Sequence, residues 1–239
     1  MNDHHIASAF DRDLEAIQAQ IMKMGGLVEM AILDAAESLA SHDEEKAREV
    51  RAKDKVIDLL EEQINDEAAQ LIALRAPTAI DLRLVLSVLK ISANLERIGD
   101  YAKNMAKRTG VLAQLPAIEE AHVSLRRMAR DVQLMLKDAL DAYIRRDAAL
   151  AADVIERDHE IDQLYNALFR EFLTFMMEDP RNITACMHLH FIAKNTERMG
   201  DHVTAIAEQV VYLVTGEKPE EAREKGDMTS THAQVSDLS

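Results

Sequence analysis

Pairs of acidic residues spaced four positions apart recur along this sequence. The pairs are Asp54/Asp58, Glu96/Asp100, Asp158/Asp162 and Glu197/Asp201. Residues four apart lie on one face of an α-helix, so each pair would present two carboxylates side by side. Carboxylate oxygens are ligands for hard and borderline cations such as Mg, Ca, Mn and Fe. Because the 239-residue chain has 43 acidic residues, one such pair alone would indicate little more than a solvated helix face.

An internal repeat connects the four acidic pairs. Asp43, Asp54 and Asp58 match Asp147, Asp158 and Asp162 at one constant separation. Farther along, Asn-Leu-Glu-Arg-Ile-Gly-Asp at 94–100 matches Asn-Thr-Glu-Arg-Met-Gly-Asp at 195–201, at a slightly shorter separation. A shared separation of this length is typical of duplicated structural units. The same positions are therefore acidic in both units, which a chance distribution of surface charge does not predict.

Glycine recurs beside these acids. Gly99 precedes Asp100 and Gly200 precedes Asp201, in a chain that has only 7 Gly. Inside a helix, glycine costs about 1 kcal/mol relative to alanine, and like charges four apart cost roughly 0.2–0.5 kcal/mol per pair. The missing side chain would allow close approach by a ligand or by another backbone, and tight helix packing alone is an equally simple reason.

The acids of the glycine motifs need a counter-charge. Glu96 and Asp100 continue the apolar stripe of their predicted helix, where unpaired carboxylates would be costly. Two kinds of partner fit the pattern: the repeated arginines Arg97 and Arg198, or a metal ion.

The elements that must position these acids are predicted to be helices. With 48% hydrophobic residues, 4% aromatic residues, 4 Pro and no Trp, the chain favours an all-α fold over a sheet. Apolar residues spaced three and four apart predict six long helices, at about 9–40, 43–74, 80–108, 116–145, 147–178 and 182–214. Gly25-Gly26 would bend the first, and Thr109-Gly110 would close the third.

The repeat divides these helices into two tandem homologous three-helix bundles. The predicted domains are residues 8–110 and 115–215, followed by a mobile, disordered tail at 217–239. A short proline-containing connection joins the second and third helices of each unit, so they should pack antiparallel. Four carboxylates would then converge in each bundle.

Charge and composition exclude several classes of protein. A formal net charge of −15 argues against nucleic acid and anionic lipid as partners. One cysteine argues against a disulfide framework and fits a reducing cytoplasm. The N-terminus has no signal-peptide pattern and no run of 18 apolar residues occurs, so we expect a soluble cytoplasmic protein.

Other sites are possible from the residues alone. Glu119-x-x-His122 and Glu156-x-x-His159 mimic an element of di-iron bundles, so a carboxylate-bridged di-metal oxidase-like enzyme is the alternative function. Cys186 and His190 could join a metal site, although both are more simply explained as core residues. A structural dimer with charge-paired carboxylates is a third possibility.

The doubled glycine motif resembles the PhoU family of phosphate-transport regulators. The resemblance is carried by residues 94–105 and 195–206, and by Met-Gly-Gly-Leu at 24–27, and it covers about residues 8–216. It implies paired three-helix bundles that hold multinuclear clusters of iron, zinc or other divalent ions, including Mn, Mg or Ca. Matched by position, the metal ligands would be Glu96, Asp100, Glu197 and Asp201, with Asp54, Asp58, Asp158 and Asp162 from the preceding helices.

The resemblance also implies a regulatory function and no enzyme activity. Members of the family repress the phosphate-starvation response when phosphate is plentiful. They couple a phosphate-specific ABC transporter, through its ATPase, to a sensor histidine kinase, and so control phosphate uptake and homeostasis. They are cytoplasmic, commonly homodimeric and reach the membrane only peripherally, through these partners. The sequence departs from the family pattern at Tyr101, where a histidine is common, and at Thr204-Ala205, so the two sites are expected to differ in metal content.

Overall fold

A computed structural model describes residues 2–115 and 117–217 of the chain. This part is all-α, as predicted, and contains six long helices. The helices are α1 (Asn2–Ala40), α2 (Glu44–Arg75), α3 (Ala79–Ala106), the short α4 (Thr109–Leu112), α5 (Glu119–Arg145), α6 (Ala148–Glu178) and α7 (Ile183–Thr215), with a 3₁₀ turn at Pro180–Asn182. The predicted tail at 217–239 lies outside the described residues from position 218 onwards.

The second long helix of each unit begins at a matching aspartate cap. Asp43 Oδ1 accepts hydrogen bonds from the backbone N–H groups of Glu45 and Lys46, at 3.0 and 2.9 Å. Asp147 makes the equivalent pair of bonds at the start of α6. Each aspartate satisfies N–H groups that have no partner within the helix. The caps therefore set the start of α2 and α6, the helices that carry Asp54, Asp58 and their repeats.

Each repeat folds into a bundle of three long helices. In the first unit, α1, α2 and α3 all pack on one another, and in the second unit α5, α6 and α7 do the same. Large apolar side chains are completely buried in the first bundle, among them Ile21, Ile32, Ile64 and Ile91. The main contacts of α2 and α6 are within their own bundles, so each acid-bearing helix packs chiefly on one helix that carries a glycine motif.

The two bundles join along two helix pairs, α1 with α5 and α3 with α7. Both pairs are antiparallel. On α7, Gln209 Nε2 donates to Ser87 Oγ of α3 at 3.3 Å, and one to two turns earlier His202 Nδ1 lies 2.8 Å from Asn94 Oδ1. Helices α3 and α7, which carry the glycine motifs, therefore pack on both other long helices of their own unit and on each other.

Helix α1 is continuous through Gly25-Gly26, where Gly25 leaves room for the Leu140 side chain of α5, and the bend expected there stays a prediction. One local feature differs from the sequence prediction. Thr109-Gly110 does not end helical structure, because α3 stops at Ala106 and the chain then makes the short helix α4. Buried Thr109 holds α4 in place, with Oγ1 3.2 Å from Ser38 Oγ.

Within the described ranges, no helix has a stretch long and apolar enough to span a lipid bilayer.

Candidate metal centre

The structure brings the four predicted acids of the first unit to one place between α2 and α3. Asp54 is buried, whereas Asp58, Glu96 and Asp100 are half-buried. Burial, followed by the charge of Asp54, raises the pKa of Asp58 above its ordinary value. Burial, followed by the charge of Asp100, raises the pKa of Glu96. Each carboxylate therefore lies within electrostatic reach of others on the facing helix.

A lysine that the sequence analysis did not identify lies among these acids. Lys103 Nζ forms an ion pair with Asp54, and a second ion pair at 3.1 Å with Asp100 Oδ1. The hydrogen bond to Asp54 is the largest reason that the pKa of Lys103 is raised above its ordinary value. Asp54 Oδ1 is buried and accepts no hydrogen bond. The first cluster thus contains one internal cation and one buried carboxylate oxygen without a donor.

The matching acids of the second unit meet between α6 and α7. Asp158, Asp162 and Glu197 are buried, and Asp201 is half-buried. Burial raises the pKa of Glu197, with Asp201 and Asp162 adding to the effect, while Lys194 opposes it. Lys194 Nζ lies 3.0 Å from Glu197 Oε2. At the other end of the cluster, the Thr204 hydroxyl donates to Asp158 Oδ1 at 3.2 Å.

The motif glycines lie directly against side chains of the paired helix. A Cβ at Gly200 would lie 3.1 Å from Asp158 Oδ1 and 3.4 Å from Ile161 Cγ2. A Cβ at Gly99 would lie 3.2 Å from Ile57 Cδ1, with Asp54 Oδ1 at 3.8 Å. At both glycines the nearest group is a side chain of the neighbouring helix. The missing side chain of glycine therefore permits both the close packing of the two helices and the placement of Asp54 and Asp158.

The eight carboxylates form a donor set for a hard cation without forming a closed coordination shell. In the part of the chain that the structure describes, no three His, Cys, Asp or Glu side chains converge on one point as metal ligands do. The donors are nonetheless all oxygens, and the buried Asp54 Oδ1 has no hydrogen-bond donor. Because Lys103 pairs with Asp54 and Asp100, these carboxylates also have the arrangement of a charge-paired core.

The arginines predicted as counter-charges contribute less than the two lysines. Arg97 lies 3.5 Å from Glu96 Oε2, but 62% of its side chain is exposed. Arg198 is exposed. Lys103 could have been identified from the sequence, because it lies three residues after Asp100, within reach on the same helical face. Lys194 lies three residues before Glu197 and offers the same signal.

The other candidate ligands lie away from the two clusters. Glu156 and His159 are exposed on α6. His122 packs against His42, with ring centroids 5.3 Å apart, and the side chain of Glu119 lies outside the described residues.

The core residues proposed as secondary ligands pack among apolar and aromatic groups. Cys186 is buried, and burial raises the pKa of its thiol, which disfavours the thiolate that binds metals. His190 lies against the rings of Tyr165 and Phe169, with centroids 5.9 and 5.4 Å away. These contacts favour core roles for both residues.

Comparison with known proteins gives consistent matches over nearly the whole chain. The family model described as the PhoU domain matches twice, at residues 21–109 and 125–210. The chain is similar to a protein from Rhizobium meliloti named as a phosphate-specific transport system accessory protein PhoU homolog. They are 45% identical over 237 residues, which cover 99% of this chain and 100% of the relative. A relative of the same name from Caulobacter vibrioides is 44% identical over 226 residues, covering 95% of this chain and 98% of the relative.

Two solved structures share the architecture. The crystal structure of PhoU from Pseudomonas aeruginosa matches with a TM-score of 0.84 and 39% identity, covering 87% of this chain and 100% of that one. The crystal structure of the phosphate transport system regulatory protein PhoU from Streptococcus pneumoniae matches with a TM-score of 0.80 and 32% identity, covering 88% and 99% of the two chains.

Proposed function

Because the chain belongs to the PhoU family, we propose that it is an accessory regulator of a phosphate-specific transport system. It represses the phosphate-starvation response when phosphate is plentiful, and so controls phosphate uptake and homeostasis. It does this as a cytoplasmic adaptor, without enzyme activity, between the ATPase of the ABC transporter and a sensor histidine kinase. The observation that carries the proposal is the full-length similarity to relatives that are named as accessory proteins of this system.

The proposed adaptor binds cations at both carboxylate clusters. In the first unit, Asp54, Asp58, Glu96 and Asp100 would supply the oxygens, and in the second unit the matching residues Asp158, Asp162, Glu197 and Asp201 would do so. A bound divalent ion would attract carboxylates from two helices at once. The residues themselves hold α2 against α3, and α6 against α7, and the glycines permit the short separation. Cation binding would therefore favour one relative position of the helices and one surface for the partners.

A deletion strain tests the regulatory function. Removal of the gene should leave a phosphate-starvation promoter active in phosphate-replete medium, and the intact gene supplied in trans should restore repression. Affinity purification of the tagged protein from phosphate-replete cells should recover the transporter ATPase and the sensor kinase. A promoter that stays fully repressible in the deletion strain contradicts the proposed function.

Elemental analysis tests the cation-binding part of the proposal separately. The double variant Glu96→Ala with Asp100→Ala should lose metal from the first cluster, bind the partners more weakly and remain helical by circular dichroism. Its matched control is Glu156→Ala with Glu160→Ala, which removes two exposed acids four residues apart on α6. If the first variant has as much metal per chain as the control and the wild type, cation binding at this cluster is refuted.

A further inference from the structure

An open cavity of about 370 Å³ lies where the end of α3 meets α7, at the junction of the two units. Two cationic side chains, one histidine, two amides and one valine line it, and no Asp or Glu of the described residues does. The lining residues are Asn104, Lys107, Arg108, Val111, His188 and Asn195. Because the whole chain has a formal net charge of −15, this is a basic cavity on an acidic protein.

The side chain of Arg108 is held in place without an acidic partner. Its guanidinium lies over the ring of Phe191, with Cζ 4.8 Å from the centroid, and its Nη1 is 3.4 Å from His188 Nδ1. Within the described ranges Arg108 forms no ion pair, and its buried Nε has no hydrogen-bond acceptor. Burial lowers the pKa of Arg108, and no carboxylate is among the causes of the shift. Residues of α7 therefore fix a guanidinium that lacks a counter-charge.

The dipole of α3 does not explain where this guanidinium lies. Cations are favoured at the C-terminal end of a helix, where Lys107 and Arg108 follow the last residue of α3. The contacts of Arg108 are with α7 instead. Lys107 donates to Asn104 Oδ1 at 3.0 Å, which leaves the amide N–H groups of Asn104 as donors. The nearest acid along α3, Asp100, is already paired with Lys103.

The matching place in the repeat is closed and neutral. At the separation that relates the two glycine motifs, Arg108 matches Gln209, His188 matches Ser87 and Lys107 matches Glu208. Gln209 Nε2 donates directly to Ser87 Oγ at 3.3 Å, and both side chains are buried. The packing of α3 on α7 therefore does not itself require an arginine, a histidine and an open cavity, which occur at only one end of this helix pair.

We propose that the basic cavity binds a phosphate group, either as the free ion or on a small phosphate ester. The oxygens of a phosphate are hydrogen-bond acceptors, and a guanidinium binds two of them at once. A phosphate group carries a charge of about −1.5 to −2 at pH 7, which matches two cations better than the single charge of a carboxylate does. Small-molecule pockets enclose about 300–1,000 Å³, so the cavity has room for an ester as well as for the ion. The site is separate from the carboxylate clusters and goes beyond the function proposed above.

Titration calorimetry of the full chain with inorganic phosphate, and separately with adenosine monophosphate, tests the proposal. The protein is first stripped of metal with a chelator and dialysed, so that a bound metal does not contribute to phosphate binding. The wild type should bind at least one of the two ligands, and the tighter one identifies the source of the phosphate group. Arg108→Gln, which copies the matching residue, should bind at least about tenfold more weakly, because it removes a charge-assisted hydrogen bond. Lys107→Glu changes an exposed side chain and should also weaken binding, whether or not the first variant folds well.

The matched control is Arg83→Gln. Arg83 is a half-buried arginine of α3 that lies over the ring of Tyr212 of α7, with Cζ 5.1 Å from the centroid, at the other end of the helix. This variant should bind phosphate as the wild type does. Equal affinities of the Arg108→Gln and Arg83→Gln proteins would overturn the proposal. So would a helical wild type that binds neither ligand at millimolar concentrations. If this happens while the deletion strain still loses repression, the phosphate site is wrong and the proposed regulatory function stands.

Discussion

The close approach at Gly200 predicts how three glycine-to-alanine substitutions will differ in stability. Gly26 is exposed in the middle of α1, with nothing within 4 Å of the position that a Cβ would occupy. Gly26→Ala therefore gains only the helix propensity of alanine, about 1 kcal/mol of folding stability. For a domain of this size, that raises Tm by roughly 2–4 °C.

Gly200→Ala gains the same propensity but must displace a buried neighbour. The new Cβ would lie 3.1 Å from Asp158 Oδ1, and Asp158 is held by the Thr204 hydroxyl and is only 3% exposed. Ile161, the next contact, is also buried, so the Asp158 carboxylate has little room for the few tenths of an ångström by which it must move. Overpacking of this kind costs about 1–3 kcal/mol, which leaves a net loss of about 1 kcal/mol.

Gly99→Ala lies between these two cases. Its nearest neighbour is the terminal Cδ1 methyl of buried Ile57, at 3.2 Å, which turns aside more easily than a hydrogen-bonded carboxylate does. We expect nearly unchanged stability. Urea denaturation of the three variants, followed by circular dichroism in the presence of a chelator, measures the series. If Gly200→Ala stabilises the protein as much as Gly26→Ala, the argument that helix approach requires these glycines is refuted.

Further predictions concern caps, pH and metal removal. Asp43→Ala and Asp147→Ala should each lower the free energy of unfolding by about 1 kcal/mol in urea melts, because each removes an N-cap; unchanged midpoints would contradict this. Burial raises the pKa of Glu197, so its contribution to stability is fully present below the unfolded-state pKa and is lost as pH rises through the higher folded-state value. In chelator, Glu197→Gln should therefore gain in Tm relative to wild type as pH rises from about 4 to 7, and a constant difference would rule out this titration. Adding Mn²⁺ at about 100 times its Kd should stabilise the wild type by about 2.7 kcal/mol for each occupied cluster, and leave a variant without the acids of both glycine motifs unchanged in thermal melts.

The sequence predicted the helices and the two repeats because local signals specify them. The caps Asp43 and Asp147 match in the repeat, and each marks the start of a helix that the structure contains. The boundary after Ala106 was less predictable. The short helix α4 depends on a contact between Thr109 and Ser38, which are far apart in the sequence.

The acids of the candidate site could be predicted from the sequence, whereas the two lysines among them were not predicted. Spacing and duplication identify Asp54, Asp158 and their partners, since both signals are local in the sequence. The lysines instead lie at positions where the two units have different residues. A comparison of the two units finds only the residues that they share, so it does not find the lysines. The packing of α3 on α7 was also not predicted, because a hydrophobic stripe shows that a face is buried without showing which helix covers it.

The most direct test of cation binding at the two clusters is an anomalous difference map from crystals of the full chain soaked in Mn²⁺. Peaks are expected between α2 and α3, among Asp54, Asp58, Glu96 and Asp100, and between α6 and α7, among Asp158, Asp162, Glu197 and Asp201. Crystals of the variant without the acids of both glycine motifs, soaked in the same way, should show neither peak. Two results would contradict cation binding at these clusters. One is a map with peaks only on exposed acids elsewhere. The other is a map with no peak, from soaks that load Mn²⁺ into control crystals of a known Mn²⁺-binding protein.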